Sequence, residues 1–422
     1  MIYHNGKIAP CLSPRLRILI AAATCAAALS LAGTAHAQSG CAAAMPDFMA
    51  ALKANTMPAL QGYLDKHGPC FEAPVRAKLQ ELGASASAPA SPAPAGYSGA
   101  AVSITALGSP NYLGQALTGA EAHFWSVGVP AIGNVSAAVE PNYGGYHSLE
   151  YVNAIKDGKA GAGVVRTYVL TSLGGTFGHV LAGLDVPLFA LDASVARSVQ
   201  EAVLPRVRDA VRSEGQMILA AGPALPAMMV CNEPLTSLAD FNDRTIAAFE
   251  PASDVVAALG GKVAKLPASD MRPALEQGSI DCAISAASIF MRTGLHETGK
   301  TLVHANALGW GVNALIMEAG AFDALPEPVR TGLLQKAESL FSAPLWGGVS
   351  AAIQADIGCM TGAGQCAGGI APGNLKLANP LPLDASGKGV LNQSILPNWA
   401  ASAPAGLVDG WRADAGRVVN LQ

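Results

Sequence analysis

One stretch of this chain, residues 234–285, narrows the fold more than any other. It opens PLTSLADFNDRTIAAF and closes LGGKVAKLPASDMRPALEQGSIDCAIS. The polar run Asp240-Phe-Asn-Asp-Arg precedes an apolar segment at 245–249, the composition of a strand buried on both faces of a parallel sheet. Ser253 or Asp254 is placed to cap a helix over 255–259, and Gly260-Gly261 ends it. A strand at 263–266 follows. Asp270 then caps a helix at 272–277, Gly278 stops it, and 280–285 re-enters a sheet. Short strands and helices alternating through tight connections predict an open α/β domain.

The same residues resemble a family. A Ser/Thr-rich lead into Asp240 and its strand, the "ALGG" at 258–261 and the "ALEQGSID" at 274–281 are similar to the solute receptors of tripartite ATP-independent periplasmic (TRAP) transporters. Two flanking pieces agree: LDVPLF at 184–189 and AFDALPEPVR at 321–330. Together these cover roughly residues 100 to 340. The resemblance implies an α/β fold of the two-lobe periplasmic solute-binding kind, with a hinge and an interlobe cleft that closes on a ligand.

The first residues fit export. Lys7, Arg15 and Arg17 precede an apolar run at 18–32, which leads to Ala35-His-Ala37. This is the layout of a signal peptide cleaved near Ala37. The run is shorter than the ~20 residues of a membrane span. Gln38-Ser-Gly before Cys41 does not begin a lipidation site. The mature chain is therefore expected in the periplasm, soluble and without direct membrane insertion.

Eight cysteines are present, and Cys11 and Cys25 leave with the signal. The even remainder in an exported chain favours disulfides. Cys41–Cys70 and Cys359–Cys366 are the local pairs. Cys231 and Cys282 lie on segments that the resemblance brings close, as a third bridge or as two buried thiols.

Residues 38–82 read as a small disulfide-held helical module, with apolar residues at helical spacing at 47–52, 57–64 and 73–82. It has too little core to stand without a staple. GASASAPASPAPAG at 83–96 is a Pro/Ala/Ser linker reaching to about 99. Lobe I is assigned to 100–225 and 305–345, and lobe II to 226–304. Residues 346–422 form a C-terminal extension packed on the lobes. Within lobe I, strands are expected at 101–107, 135–139, 163–170 and 310–317. Helices are expected at 116–125, 149–156, 193–214 and 328–340. Asp192 caps the long helix, and Val195, Val199, Val203 and Val207 form its buried stripe. Residues 220–230 are read as one strand entering lobe II. After Gly347 the Gly/Ala/Pro-rich sequence shows no firm periodicity until 407–418.

Charged residues make up 13% of the chain against 51% hydrophobic, with a net charge of -4. That excludes a disordered chain and a nucleic-acid binder. No Gly-x-Ser-x-Gly elbow and no His-Glu-x-x-His helix occurs. His67, His123, His147, His179, His296 and His304 lack metal-ligand spacing. GGTFG at 174–178 reads as an ordinary turn before it reads as an anion cradle. The chain is expected to be no enzyme and to need no metal or cofactor.

TRAP receptors usually carry an Arg on the strand that follows the Asp240 segment, paired with a ligand carboxylate. The resemblance places that position at Ala247. A second Arg is common on the preceding strand, where this chain has Pro226-Ala-Met-Met-Val230, and an Asn often stands at the position of Ser285. The acid clamp is thus absent where the family keeps it. In one explanation the pocket is apolar and takes a neutral or hydrophobic molecule, with Met228, Met229, Phe249, Phe290 and Trp310 as lining. In the other, a relocated Arg166 (beside Tyr168 on the 163–170 strand) or Arg292 receives a carboxylate. For each lining residue, plain core packing is the competing reading. The partners implied are a small-molecule ligand and membrane permease components. A ligand-presenting module for a sensor or a lipid-trafficking system is the alternative role.

Overall fold

The computed structural model describes residues 47, 50, 51, 54, 56–67, 75, 96–110, 115–146, 150–167, 176–188, 190, 192–224, 226–305, 308–382 and 385–419. The chain forms two compact units, Met1–Ala95 and Gly96–Gln422. In the first, the helix Met57–His67 buries Leu60, Tyr63 and Leu64 on one face. This is the i, i+3, i+4 spacing of an amphipathic helix. The Asp47 carboxylate accepts from Lys66 Nζ at 2.6 Å and pairs with His67 Nε2 at 2.7 Å. The expected Cys41–Cys70 bridge, residues 83–95 of the linker and the signal segment lie outside the described residues, as does the helix at 73–82 apart from Val75; the linker's expected end at 97–99 is instead the start of a strand, Tyr97–Leu107.

The second unit is built on two sheets. The strands of the first half of the chain are β1 (Tyr97–Leu107), β2 (Gly133–Glu140), β3 (Ala162–Arg166) and β4 (Gln216–Pro223). Then come β5 (Met228–Cys231), β6 (Thr245–Ala247), β7 (Lys262–Ala264), β8 (Cys282–Ser285) and β9 (Thr301–His304). The last two are β10 (Val312–Glu318) and β11 (Lys376–Leu377). One sheet has the order β2-β1-β3-β10-β4 and the other β11-β9-β5-β8-β6-β7. In the first sheet β1 is parallel to both β2 and β3, while β10 runs antiparallel between β3 and β4. This is a two-lobe α/β fold, with chain passing between the sheets at 224–227 and again at 305–311.

Those two passages are tied to each other. Ala224 N donates to Gly311 O at 2.8 Å, Ala227 N to Gly309 O at 2.9 Å, and Ala305 N to Ala227 O at 3.2 Å. The expected single strand at 220–230 is therefore two strands with a crossover between. Pro223 and Pro226 explain the break, because neither offers an amide to continue a sheet ladder.

Several element ends move for similar reasons. β3 ends at Arg166 and Thr167 already has helical backbone, while the rest of the expected 163–170 strand lies outside the described residues. β6 ends at Ala247, short of 249, ahead of a cis Glu250–Pro251 peptide. The following helix, Ala252–Ala258, begins behind Pro251, so Ser253 and Asp254 lie inside it and cap nothing. Asp270 likewise sits in the first turn of Ala268–Glu276, whose N-cap is Pro267. Proline's fixed φ presets each entry and takes the place of the side-chain cap. Gly260 and Gly278, at φ +81 and +72, end the two helices as their positions suggested.

The helix Ala193–Ser213 is capped by Asp192, which accepts from Ser194 N and Val195 N. Its buried stripe is Val199, Val203, Val207 and Val211, one turn later than expected, with Val195 only half-buried. The unassigned region past Gly347 holds a long helix, Ala343–Thr361, continuous with Glu327–Ala337 through a π turn at Glu338–Ser342. The chain then adds β11 beside β9. It finishes with helices that reach lobe I, where Trp399 Nε1 donates to His179 O and Trp411 Nε1 to Gly183 O. Cys231–Cys282 is bridged across directly opposed residues of β5 and β8, and Cys359–Cys366 is bridged after the long helix.

Candidate functional site

Register fixes which ends of the strands meet the crevice between the sheets. In lobe I, Asn313 stands opposite Arg166 on one side and Gly222 on the other. These residues lie where β3 and β4 end and β10 begins. In lobe II, Met228 stands opposite both Ser285 and His304, at the start of β5 and the ends of β8 and β9. Both sheets thus turn the carboxyl ends of parallel strands toward the crossovers, the place where open α/β sheets take ligands.

Lobe I supplies the polar side. Arg166 is 9% exposed, and its Nε donates to Asn313 Oδ1 at 3.0 Å. Asn313 Nδ2 donates in turn to Pro223 O at 3.0 Å. The guanidinium plane is therefore oriented by an amide that is itself fixed on the first crossover. Nearby, Tyr143 stacks on Tyr151 with ring centroids 3.9 Å apart. Burial pushes the Tyr143 phenol up to about 12, against the opposing pull of the Arg166 charge. Glu121 is buried with Oε2 accepting from Ser109 N at 2.9 Å, and burial raises its pKa as well.

Lobe II supplies an apolar side. Met228, Ala247, Phe290 and Trp310 fall in one buried cluster. Met229 lies on the other face of β5, in a different cluster, as the alternation of a strand requires. Ala247 is fully buried, flanked by Ala264 on β7 and Ala283 on β8. Phe290 is wholly buried core. Phe249 is 45% exposed just past β6, and Ser285 is half-buried at the end of β8. Trp310 stands in the second crossover, where Nε1 donates to Ala190 O at 3.2 Å. Its ring lies 6.3 Å from that of Trp346 on the long helix. Arg292 is exposed in the last turn of Ala287–Thr293, away from Arg166 in sequence and in sheet. Tyr168 and the start of the 174–178 turn lie outside the described residues.

Residues that sequence reasoning passed over hold the second crossover. Asp185 is fully buried, and its Oδ1 accepts from Trp310 N at 2.8 Å and Gly311 N at 3.1 Å. Its Oδ2 accepts from Thr167 Oγ1 at 3.1 Å, and that hydroxyl accepts from Val312 N at 3.1 Å. Asp185 belongs to the LDVPLF segment, but only its position in a motif was visible beforehand. Asn313 had no local signal at all. Among the described residues, no group of three or more His, Cys, Asp or Glu is placed to hold a metal ion. No described helix is long and apolar enough to cross a membrane.

The model of bacterial extracellular solute-binding protein family 7 matches residues 131–341, half of the chain. Three solved structures illustrate the fold likeness. A TRAP periplasmic solute-binding protein from Rhodobacter sphaeroides, in an open ligand-free form, is 14% identical with a TM-score of 0.64. One from Desulfovibrio salexigens with bound orotic acid is 15% identical with a TM-score of 0.60. The periplasmic ectoine-binding protein of the TeaABC TRAP transporter from Halomonas elongata is 15% identical with a TM-score of 0.59. Each comparison covers 75% of this chain and 99% of the other. No curated protein sequence matches the chain.

Proposed function

The chain belongs to bacterial extracellular solute-binding protein family 7, and we propose that it captures a small, neutral or largely hydrophobic organic ligand between its lobes. On this reading it is exported to the periplasm with its leader removed near Ala37, closes on the ligand, and hands it to the permease components of a membrane transporter. The ligand acts by favouring the closed form, which the permease then reads.

One observation carries the ligand class. At the lobe II strand ends nearest the crossovers stand uncharged residues, Met228, Ala247 and Ser285, with Phe249 exposed just past β6, and this supports an apolar lining. A desolvated carboxylate there would lack a cation to offset its burial. The test is thermal unfolding with a panel of neutral, aromatic and carboxylic compounds. A ligand at 100 times its Kd stabilises by about 2.7 kcal/mol. Stabilisation by neutral or aromatic compounds alone supports the reading, and stabilisation confined to carboxylates overturns it.

A second reading rests on Arg166. A buried guanidinium aligned by Asn313 is the kind of group that receives a carboxylate. It would make the protein an acid receptor whose arginine lies on lobe I instead of lobe II. The same panel separates the two.

A further inference from the structure

Glu121, on the helix Gln115–His123, is 3% exposed, and its carboxyl is only half engaged. Oε2 accepts from Ser109 N at 2.9 Å, while Oε1 has no hydrogen-bond partner among the described residues. Two neighbouring buried atoms share that condition: Ser109 Oγ, and Nε1 of Trp125 in the π turn one helical turn on. Burial raises the Glu121 pKa, and the Ser109 and Trp125 side chains lie close enough to pull it back, yet neither closes a hydrogen bond on the carboxyl. Buried polar groups are almost always paired, so three orphaned atoms beside one carboxyl call for a partner from outside the chain. The place is the crevice end of lobe I. Ser109, half-buried, stands two residues past the end of β1, and Tyr143 N donates to Gly108 O at 2.8 Å. The Tyr143 phenol lies within reach of the charges of both Arg166 and Glu121.

We propose that Glu121, Ser109 and Trp125 receive one hydroxyl group, so that the captured molecule is a neutral alcohol or phenol whose O–H enters this corner of lobe I. The proposal rests on the capture of a neutral ligand between the lobes and names that ligand's polar group. The donor set decides the chemistry. The indole N–H only donates, a carboxylate oxygen accepts, and the serine hydroxyl does either. A hydroxyl accepts from the indole and donates to the carboxylate through a single oxygen. An ammonium has no lone pair for the indole N–H. A guest carboxylate has no proton for Glu121 and meets its charge. An ether or carbonyl oxygen accepts from the indole but leaves Glu121 Oε1 unpaired. Water offers the same chemistry, and a guest hydroxyl that takes the place of a water repeats its bonds, so little is lost in the exchange. The uncharged residues at the lobe II strand ends suit the apolar remainder of such a molecule.

The test is the indole N–H region of the proton–nitrogen correlation spectrum of the ligand-free full chain. The sequence has five tryptophans, and W125F identifies the Trp125 resonance by its loss. Benzyl alcohol, toluene and benzoate are titrated in turn. Benzyl alcohol should move the Trp125 resonance downfield and bind about tenfold more tightly than toluene, which should leave that resonance in place. In S109A, which removes only a hydroxyl, benzyl alcohol should bind about fivefold more weakly. A Trp125 resonance that stays put while benzyl alcohol binds, or an S109A affinity equal to the native one, would overturn the proposal and leave these atoms to water alone. Toluene binding as tightly as benzyl alcohol would also overturn it, with the capture of a neutral ligand still standing. If benzoate alone binds, or none of the three does, the capture of a neutral ligand fails and the proposal falls with it.

Discussion

Arg166 and Asn313, opposite one another on β3 and β10, share a hydrogen bond of 3.0 Å that joins residues 147 apart in sequence. Through Asn313 Nδ2 the pair also holds the carbonyl of Pro223, where β4 leaves lobe I. This buried arginine is thus part of the scaffold of the first crossover.

Replacing Asn313 with Ala should therefore cost stability whatever the ligand. It strands a buried guanidinium NH and a buried carbonyl, at about 1–3 kcal/mol for each such group. Urea unfolding at neutral pH measures this, and a loss under about 0.5 kcal/mol would show the pair to be idle.

R166M separates the two ligand readings. If the ligand is neutral, R166M should leave its affinity within about threefold. If the ligand is a carboxylate, losing a charge-assisted bidentate contact should weaken binding by at least about tenfold. Calorimetry with the best compound from the stabilisation panel decides between them.

Asp185 gives a pH signature in stability with a definite sign. Its pKa in the folded chain is raised from 3.8 to about 6, so the fold binds the proton more tightly than the unfolded chain does. That contribution is complete below about pH 4 and is lost as pH rises through 6, up to about 3 kcal/mol. Asp356 is also raised to about 6 by burial, so a difference measurement is required. The stability of the native protein minus that of D185N should grow by about 2 kcal/mol from pH 7.5 to 4.5. A flat difference would contradict the assignment.

The disulfides should differ in worth. Cys231–Cys282 closes a separation of 51 residues and Cys359–Cys366 one of 7. In the chain-entropy picture these correspond to about 4 and about 2.5 kcal/mol. C231A/C282A should lower the unfolding free energy more than C359A/C366A, and the reverse order in denaturant titrations would contradict it.

How much of this was legible in the sequence follows from the range of each signal. Glycines at 260 and 278 and the polar lead into β6 mark the lobe II elements locally, and those elements occur in the expected order with their ends shifted by a few residues. The helix Ala343–Thr361 was hidden. Its buried Trp346, Val349, Ile353, Ile357 and Met360 are separated by Gly, Ala and Ser, which weaken the contrast between faces. Proline displaced the expected caps at Ser253 and Asp270. In the site, Arg166 stood out as a rare charge on an apolar strand. Asp185 did not, because its partners lie 125 and 126 residues away, and neither did Asn313. Pairings of that length leave no trace in local spacing.

The central claim is that a small guest is held between the lobes and left unchanged. Native mass spectrometry of protein purified from the periplasm, with organic extraction of what it carries, tests this most directly. The account predicts one molecule per chain, neutral or largely apolar, released intact on denaturation. A bound carboxylic acid lost in R166M, or a recovered compound chemically altered by the protein, would contradict it.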